Sequence, residues 1–182
     1  MILSLPFIKP AQIAARLSFM LLTALVAVAV QPMQTTGQVH AQELGIAVGE
    51  MAPGGPLETL DGKAVDLSQY LGKSPAVIEF WATWCGNCKQ LEPAMRAAMT
   101  KHPNVRFITV AVSVNQSVDR VKAWQQQHKL PGELLYDRKG TVSGAFDVPA
   151  TSYVVVVDKA GKIVYTGVGG TQDLDAAIRK AL

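Results

Sequence analysis

The sequence predicts an α/β fold, a mixed central sheet flanked by helices with a β-hairpin extension at its N-terminal side. Three observations carry this. Ala76-Val-Ile-Glu-Phe-Trp81 and Val105-Arg-Phe-Ile-Thr-Val-Ala-Val-Ser113 are nearly continuous apolar runs, the pattern of strands covered on both faces. Each is followed by a segment with helical spacing, and strand-helix-strand units of this length place their strands parallel. Tyr153-Val-Val-Val-Val157 and Lys162-Ile-Val-Tyr165 flank Asp158-Lys-Ala-Gly161, a hairpin that adds antiparallel strands.

The elements follow in order. Residues 42–56, rich in glycine and proline, read as an irregular leader. Two short apolar segments between Leu57 and Val65 turn at Asp61-Gly62, a hairpin signal. The stretch from Asp66 to Gly72 reads as one helical turn closed by glycine. Asn87 to His102 places Leu91, Met95, Ala98 and Met99 on one helical face, with Pro93 inside the pattern as a kink. Ser117 opens a second helix that ends near His128, with Val121 and Trp124 inward. Leu134-Leu135-Tyr136 is expected as a short edge strand and 140–146 as a brief helix. A last helix runs from Asp173 to Leu182, with Leu174, Ile178 and Leu182 on one side. Residues 57–182 therefore form one domain, with no repeat or second hydrophobic pattern.

The first 41 residues are of another kind. Lys9 and Arg16 lead into an uncharged run from Leu17 to Val30, short of the roughly 20 apolar residues of a comfortable membrane span. A basic start, a short apolar run and small residues at Val39-His40-Ala41 describe a secretory signal peptide, cleaved before Gln42 or kept as an anchor. Without it the chain carries 15 basic against 14 acidic residues, so nucleic acid is not an expected partner. The chain is expected to be exported to a compartment where disulfides form and persist.

Both cysteines, Cys85 and Cys88, lie in Phe80-Trp-Ala-Thr-Trp-Cys-Gly-Asn-Cys-Lys-Gln90, between a strand and the first turn of a helix. Two thiols leave no ligand set for an all-cysteine zinc site. The unpaired N–H groups and partial positive charge of a first helical turn favour a thiolate. Cys85 is thus expected to be the exposed nucleophile that attacks a partner disulfide. Cys88, more buried, resolves the mixed disulfide. Glu79 interrupts the buried strand six positions earlier. If it is buried, desolvation raises its pKa and fits it to accept the Cys88 proton; if it sits at a strand end, it reaches solvent or a lysine.

The stretch FWATWCGNCK resembles the active site of thioredoxin-fold oxidoreductases. Trp84 precedes the first cysteine, Lys89 follows the second, Pro93 stands where thioredoxins carry a helix-kinking proline, and Glu79 takes the place of their buried aspartate. LETLDGKAVDLSQYLGK, VRFITVAVSVNQSVDRVKAW and VVVVDKAGKIVYTGVGG are similar to the hairpin, strand-helix and terminal hairpin of exported TlpA/ResA-type thiol-disulfide reductases in the redoxin (AhpC/TSA-like) superfamily. The resemblance covers roughly residues 50–182. It implies a thioredoxin-like fold, protein disulfides as substrates met at Trp84, Thr151 and Ser152, and a membrane thiol-disulfide electron donor. A monomer is expected, with no metal and no cofactor beyond the Cys85–Cys88 pair. One departure stands out. Ser152 occupies the position of the family's cis-proline, so the Thr151–Ser152 bond is expected to be trans or strained.

Two other classes stay open. A copper(I)-handling protein would use the thiolates, but His102 and His128, at helix ends, read as surface histidines. A thiol peroxidase would want serine or threonine at position 82, which is alanine. A purely structural bridge closes too small a loop to stabilise much. Trp81 reads as core, and Met33, Met51, Met95 and Met99 form no metal-binding run.

Overall fold

The computed structural model describes residues 44–130 and 132–182. The expected signal segment, 1–41, lies outside them. Among the described residues no helix is long and apolar enough to cross a membrane.

Seven described strands form one sheet: β1 (Pro56–Thr59), β2 (Ala64–Asp66), β3 (Ala76–Trp81), β4 (Arg106–Val112), β5 (Glu133–Asp137), β6 (Tyr153–Val157) and β7 (Ile163–Val168), in the order β2-β1-β5-β4-β3-β6-β7. β3, β4 and β5 are parallel; β6, β7 and the β1–β2 hairpin run antiparallel to their neighbours. A 3-10 turn at Leu67–Tyr70 is capped by Asp66, whose carboxylate accepts the Ser68 N–H. The helices are α1 (Gly86–Lys101), α2 (Val118–His128), α3 (Thr141–Ala145) and α4 (Leu174–Arg179).

The continuous apolar run of β3 is explained by its place. It pairs with β4 on one side and β6 on the other, and all six of its residues are buried. Its alternate residues serve two cores. Val77 joins Leu91 and Met95 of α1 and Leu174 and Ile178 of α4. Ile78 and Phe80 join Leu67, Val121, Val142, Phe146 and Tyr153 on the other side. α1 therefore lies against the sheet along its Leu91–Met95–Ala98 face, as the spacing predicts. Pro93 sits inside that helix, where it cannot donate to the Lys89 carbonyl.

One expectation needs correction, and one is sharpened. Leu134–Tyr136 is not an edge: β5 lies between β4 and β1, because the N-terminal hairpin adds two strands beyond it. The leader has little regular structure but is tied down by backbone bonds. Ile46 N–H donates to Phe146 O (3.0 Å), Gly49 N–H to Ile163 O (2.9 Å), and Ile163 N–H to Glu50 O (2.8 Å). Periodicity cannot reveal such docking, since each bond pairs the leader with residues distant in sequence.

Gly45 is the tightest point of this docking. Its φ is +88°, and an added Cβ would overlap the phenol of buried Tyr153. Gly45→Ala is expected to cost about 2 kcal/mol, read as a lower urea midpoint at unchanged slope. A midpoint equal to wild type would show that the close approach of Gly45 to Tyr153 contributes nothing to stability.

Candidate functional site

β3 ends at Trp81, and Ala82-Thr-Trp84 turns the chain into α1. The Cys85 N–H donates to the Ala82 carbonyl (3.0 Å) and closes the turn. Cys85 is the N-cap of α1, its Sγ accepting the Cys88 N–H at 3.0 Å. The two cysteines form a disulfide with their Cα atoms 5.3 Å apart. Cys85 was expected to be the exposed member, but in this disulfide form it is 4 % exposed and Cys88 7 %. Each sulfur is bonded to the other, and Cys85 Sγ also faces a backbone N–H of its own helix.

The turn is braced from the loop after β4. Buried Gln116 accepts the Thr83 N–H on Oε1 (2.9 Å) and donates through Nε2 to Val112 O, while Tyr136 Oη donates to the Gln116 carbonyl (3.1 Å). The Trp84 indole N–H donates to Val114 O (3.0 Å). This pins an indole that is 42 % exposed beside Val114, itself 60 % exposed. Trp84 thus lies on the surface next to Cys85, as expected, and Trp81 is core. Gln116 and Val114 escaped the sequence reading; a polar amide just past the carboxyl end of a buried parallel strand is the signal that could have found the first.

Glu79 is at the centre of the sheet, opposite Thr109 of β4 and Val154 of β6. Only 7 % exposed, it does not reach solvent in the manner of a strand-end glutamate. Its Oε1 has no hydrogen-bond partner among the described residues. Loss of hydration, with the Glu92 carboxylate nearby, pushes its pKa up to about 8. Glu79 and Cys88 line one cavity with room for about one water molecule.

Ser152 lies just before β6 and is fully buried. Its N–H donates to Phe80 O (2.8 Å) and its hydroxyl to Gly169 O (3.0 Å). Its carbonyl accepts from Gly169 N–H (3.1 Å) and Gln172 Nε2 (3.1 Å). The Thr151–Ser152 peptide is trans and Ser152 takes a left-handed φ of +63°. Thr151, half-buried, precedes it at the surface of this corner.

His102 is mostly buried rather than on the surface, tying α1 to α4 through Asp175 (2.7 Å), and His128 stacks on Trp124. Neither histidine lines the cavity that Cys88 lines. No group of three or more His, Cys, Asp or Glu among the described residues is arranged to hold a metal ion.

The Ser152 geometry yields an expectation opposite to a simple return to the family residue. Ser152→Pro removes the donor to Phe80 and demands a negative φ, so it should cost roughly 3 kcal/mol, whereas Ser152→Gly should stay within about 1 kcal/mol of wild type. Denaturation midpoints of the two variants decide it; a proline variant as stable as wild type would contradict the lock described here.

Comparison with known proteins agrees with this geometry. The AhpC/TSA family profile matches residues 48–166. The chain is 32 % identical over 131 residues to the thioredoxin-like protein YneN of Bacillus subtilis, covering 70 % of this chain and 75 % of that one. It is 27 % identical over 135 residues to the thiol-disulfide oxidoreductase ResA of Geobacillus thermodenitrificans, covering 73 % and 77 %. Among solved structures it is similar to a putative thiol:disulfide interchange protein DsbE from Chlorobium tepidum, with a TM-score of 0.67, 25 % identity, and 75 % of this chain matched to 98 % of that one. With its Cys-x-x-Cys disulfide at the head of α1 and its mixed sheet, the chain belongs to the AhpC/TSA family and has a thioredoxin-like fold.

Proposed function

We propose that this protein is an exported thiol-disulfide oxidoreductase that reduces protein disulfides by dithiol exchange at Cys85 and Cys88. The observation that carries the reading is the Cys85–Cys88 disulfide capping α1 with an ionisable carboxyl, Glu79, buried behind Cys88 in a shared cavity. In the reduced protein the Cys85 thiolate, favoured by the Cys88 N–H and the helix terminus, attacks one sulfur of a partner disulfide. One partner thiolate leaves and a mixed disulfide forms. Cys88 gives its proton to Glu79, and its thiolate attacks Cys85 Sγ. The Cys85–Cys88 disulfide forms, the second partner thiolate leaves, and two electrons have passed to the partner.

The energetics of the proton step support this assignment. An ordinary cysteine thiol has a pKa of about 8.5. Glu79, at about 8, matches it closely, so transfer in either direction is nearly balanced. A carboxylate at its usual pKa would be too weak a base by about four units.

Trp84 and Val114 offer the exposed apolar contact for the partner chain, and Thr151 the backbone beside it. Ser152 acts from behind, by fixing Thr151. A membrane dithiol donor returns the disulfide to the reduced form, and the segment 1–41 directs export. No histidine or proline separates the cysteines, in keeping with a reductase.

Cys88→Ala should accumulate mixed disulfides on Cys85, recovered by non-reducing electrophoresis and released by dithiothreitol. Cys85→Ser should reduce exchange with a protein disulfide to the uncatalysed rate. Exchange at the wild-type rate in Cys85→Ser, or no trapped partner in Cys88→Ala, would refute the reading.

A further inference from the structure

Glu79 must lose its own proton before it can accept one from Cys88, yet Glu79 itself is almost out of contact with water. The cavity behind Cys88 offers a way. It is lined by Glu79, Trp81, Cys88, Lys89, Glu92 and Trp124, among others. It has room for about one water molecule. Two of its polar atoms, Glu79 Oε1 and Trp81 Nε1, are buried without a hydrogen-bond partner among the described residues. A single water accepting from the indole and bonded to the carboxyl would satisfy both.

Glu92 stands at the other end. It lies one turn beyond Cys88 on α1, and its side chain is 22 % exposed. The Arg96 guanidinium pairs with it at the surface, donating from Nη2 at 2.6 Å and from Nε at 3.0 Å. Arg96 also donates to the carbonyls of His128 and Lys129, which fixes this part of α1 against the end of α2. Glu92 therefore touches both the cavity and solvent. Lys89 is drawn aside, its ammonium 4.7 Å from the Trp124 ring centre. The exposed residues beside Cys85, Trp84 and Val114, do not line the cavity.

We propose that Glu92 is the proton outlet of this site. The proton released by Cys88 passes to Glu79, through a water held by Trp81 Nε1, to the Glu92 carboxylate and then to bulk solvent. This inference rests on the dithiol-exchange reading above. It extends that reading by separating two surfaces, so that a partner seated over Cys85 and Trp84 does not block the loss of the proton. No bond other than O–H and S–H changes along the route, and no electrons move.

The charged and titratable groups that face the route are Cys88, Lys89 and Glu92 from α1, with Arg96 behind Glu92, and Glu79 from β3. β4 contributes the Thr109 hydroxyl, and α2 contributes Trp124 with His128 stacked on it. Of these, Glu92 is the acid that both lines the cavity and meets water.

The test is turnover of a protein disulfide by the full chain at neutral pH in dilute buffer. Glu92→Gln should slow it about tenfold. Glu92→Asp should restore most of the rate, and raising the imidazole concentration should rescue Glu92→Gln but leave wild type unchanged. Arg96→Gln, which breaks the same ion pair and keeps the carboxylate, should stay within about twofold of wild type, because an exposed pair contributes little. A wild-type rate in Glu92→Gln would overturn the outlet alone. So would equal slowing in Arg96→Gln with no rescue by imidazole, since loss of the ion pair would then explain both. Wild type exchanging no faster than Cys85→Ser would overturn the dithiol reading together with the outlet.

Discussion

A carboxyl group inside a covered sheet is costly to ionise, and Glu79 is held there by a strand on either side, β4 and β6. Its neighbours in the ladder, Thr109 and Val154, offer it no charge partner. Burial consequently holds its pKa at about 8, so that at neutral pH only a minority, about a tenth, of these carboxyls is ionised and able to accept a proton, each binding it about as tightly as a thiol does. Much else in the molecule is arranged around that constraint. β3 must be central, so the sheet extends on both sides. Cys88 must face inward from α1, so the helix begins immediately after the turn and lies with its apolar face on the same side as Val77. The cavity that both groups line has room for about one water molecule.

Cys85 is placed by a different device. The turn from Ala82 to Cys85 carries backbone groups with no strand partner, and the amide of Gln116 takes one of them. On the other flank, Ser152 spends every polar group it has on Phe80, Gly169 and Gln172. The left-handed backbone of Ser152 is unusual for a side chain other than glycine, and four hydrogen bonds around it offset the strain. The two flanks share one logic. Neutral amides and hydroxyls hold the turn and the corner in place, and neither flank puts a charged side chain into these contacts.

The central strand, the cysteine-bearing helix and the hairpin at the C-terminal side were legible in the sequence because each is stated locally. A run of six buried residues, a 3.6-residue period and a four-residue turn all fit within a short window. Glu79 was conspicuous as a lone glutamate inside such a run, but spacing left open whether it was buried or at a strand end; its pairing with β4 and β6 decides for burial. The place of β5 was not legible, because strand order depends on where the β1–β2 hairpin docks, a contact between residues some eighty positions apart. The equal burial of Cys85 and Cys88 follows from the disulfide and the cap they make together, which spacing does not convey. Glu92 reads as an ordinary surface acid, paired with Arg96 at i+4 on a helix. Only the depth of the cavity beneath it connects it to Glu79. Ser152 was conspicuous as a departure, but its φ depends on Gly169 and Gln172, far along the chain.

The central claim is that the carboxyl behind Cys88 is a proton store matched to a thiol. The most direct measurement is a carbon-13 NMR titration of the Glu79 carboxyl in the disulfide form, with Glu79→Gln used for assignment. A midpoint near 8 is expected. A midpoint near 4.5, that of an ordinary glutamate, would show that Glu79 cannot take up the Cys88 proton at neutral pH and would contradict the account.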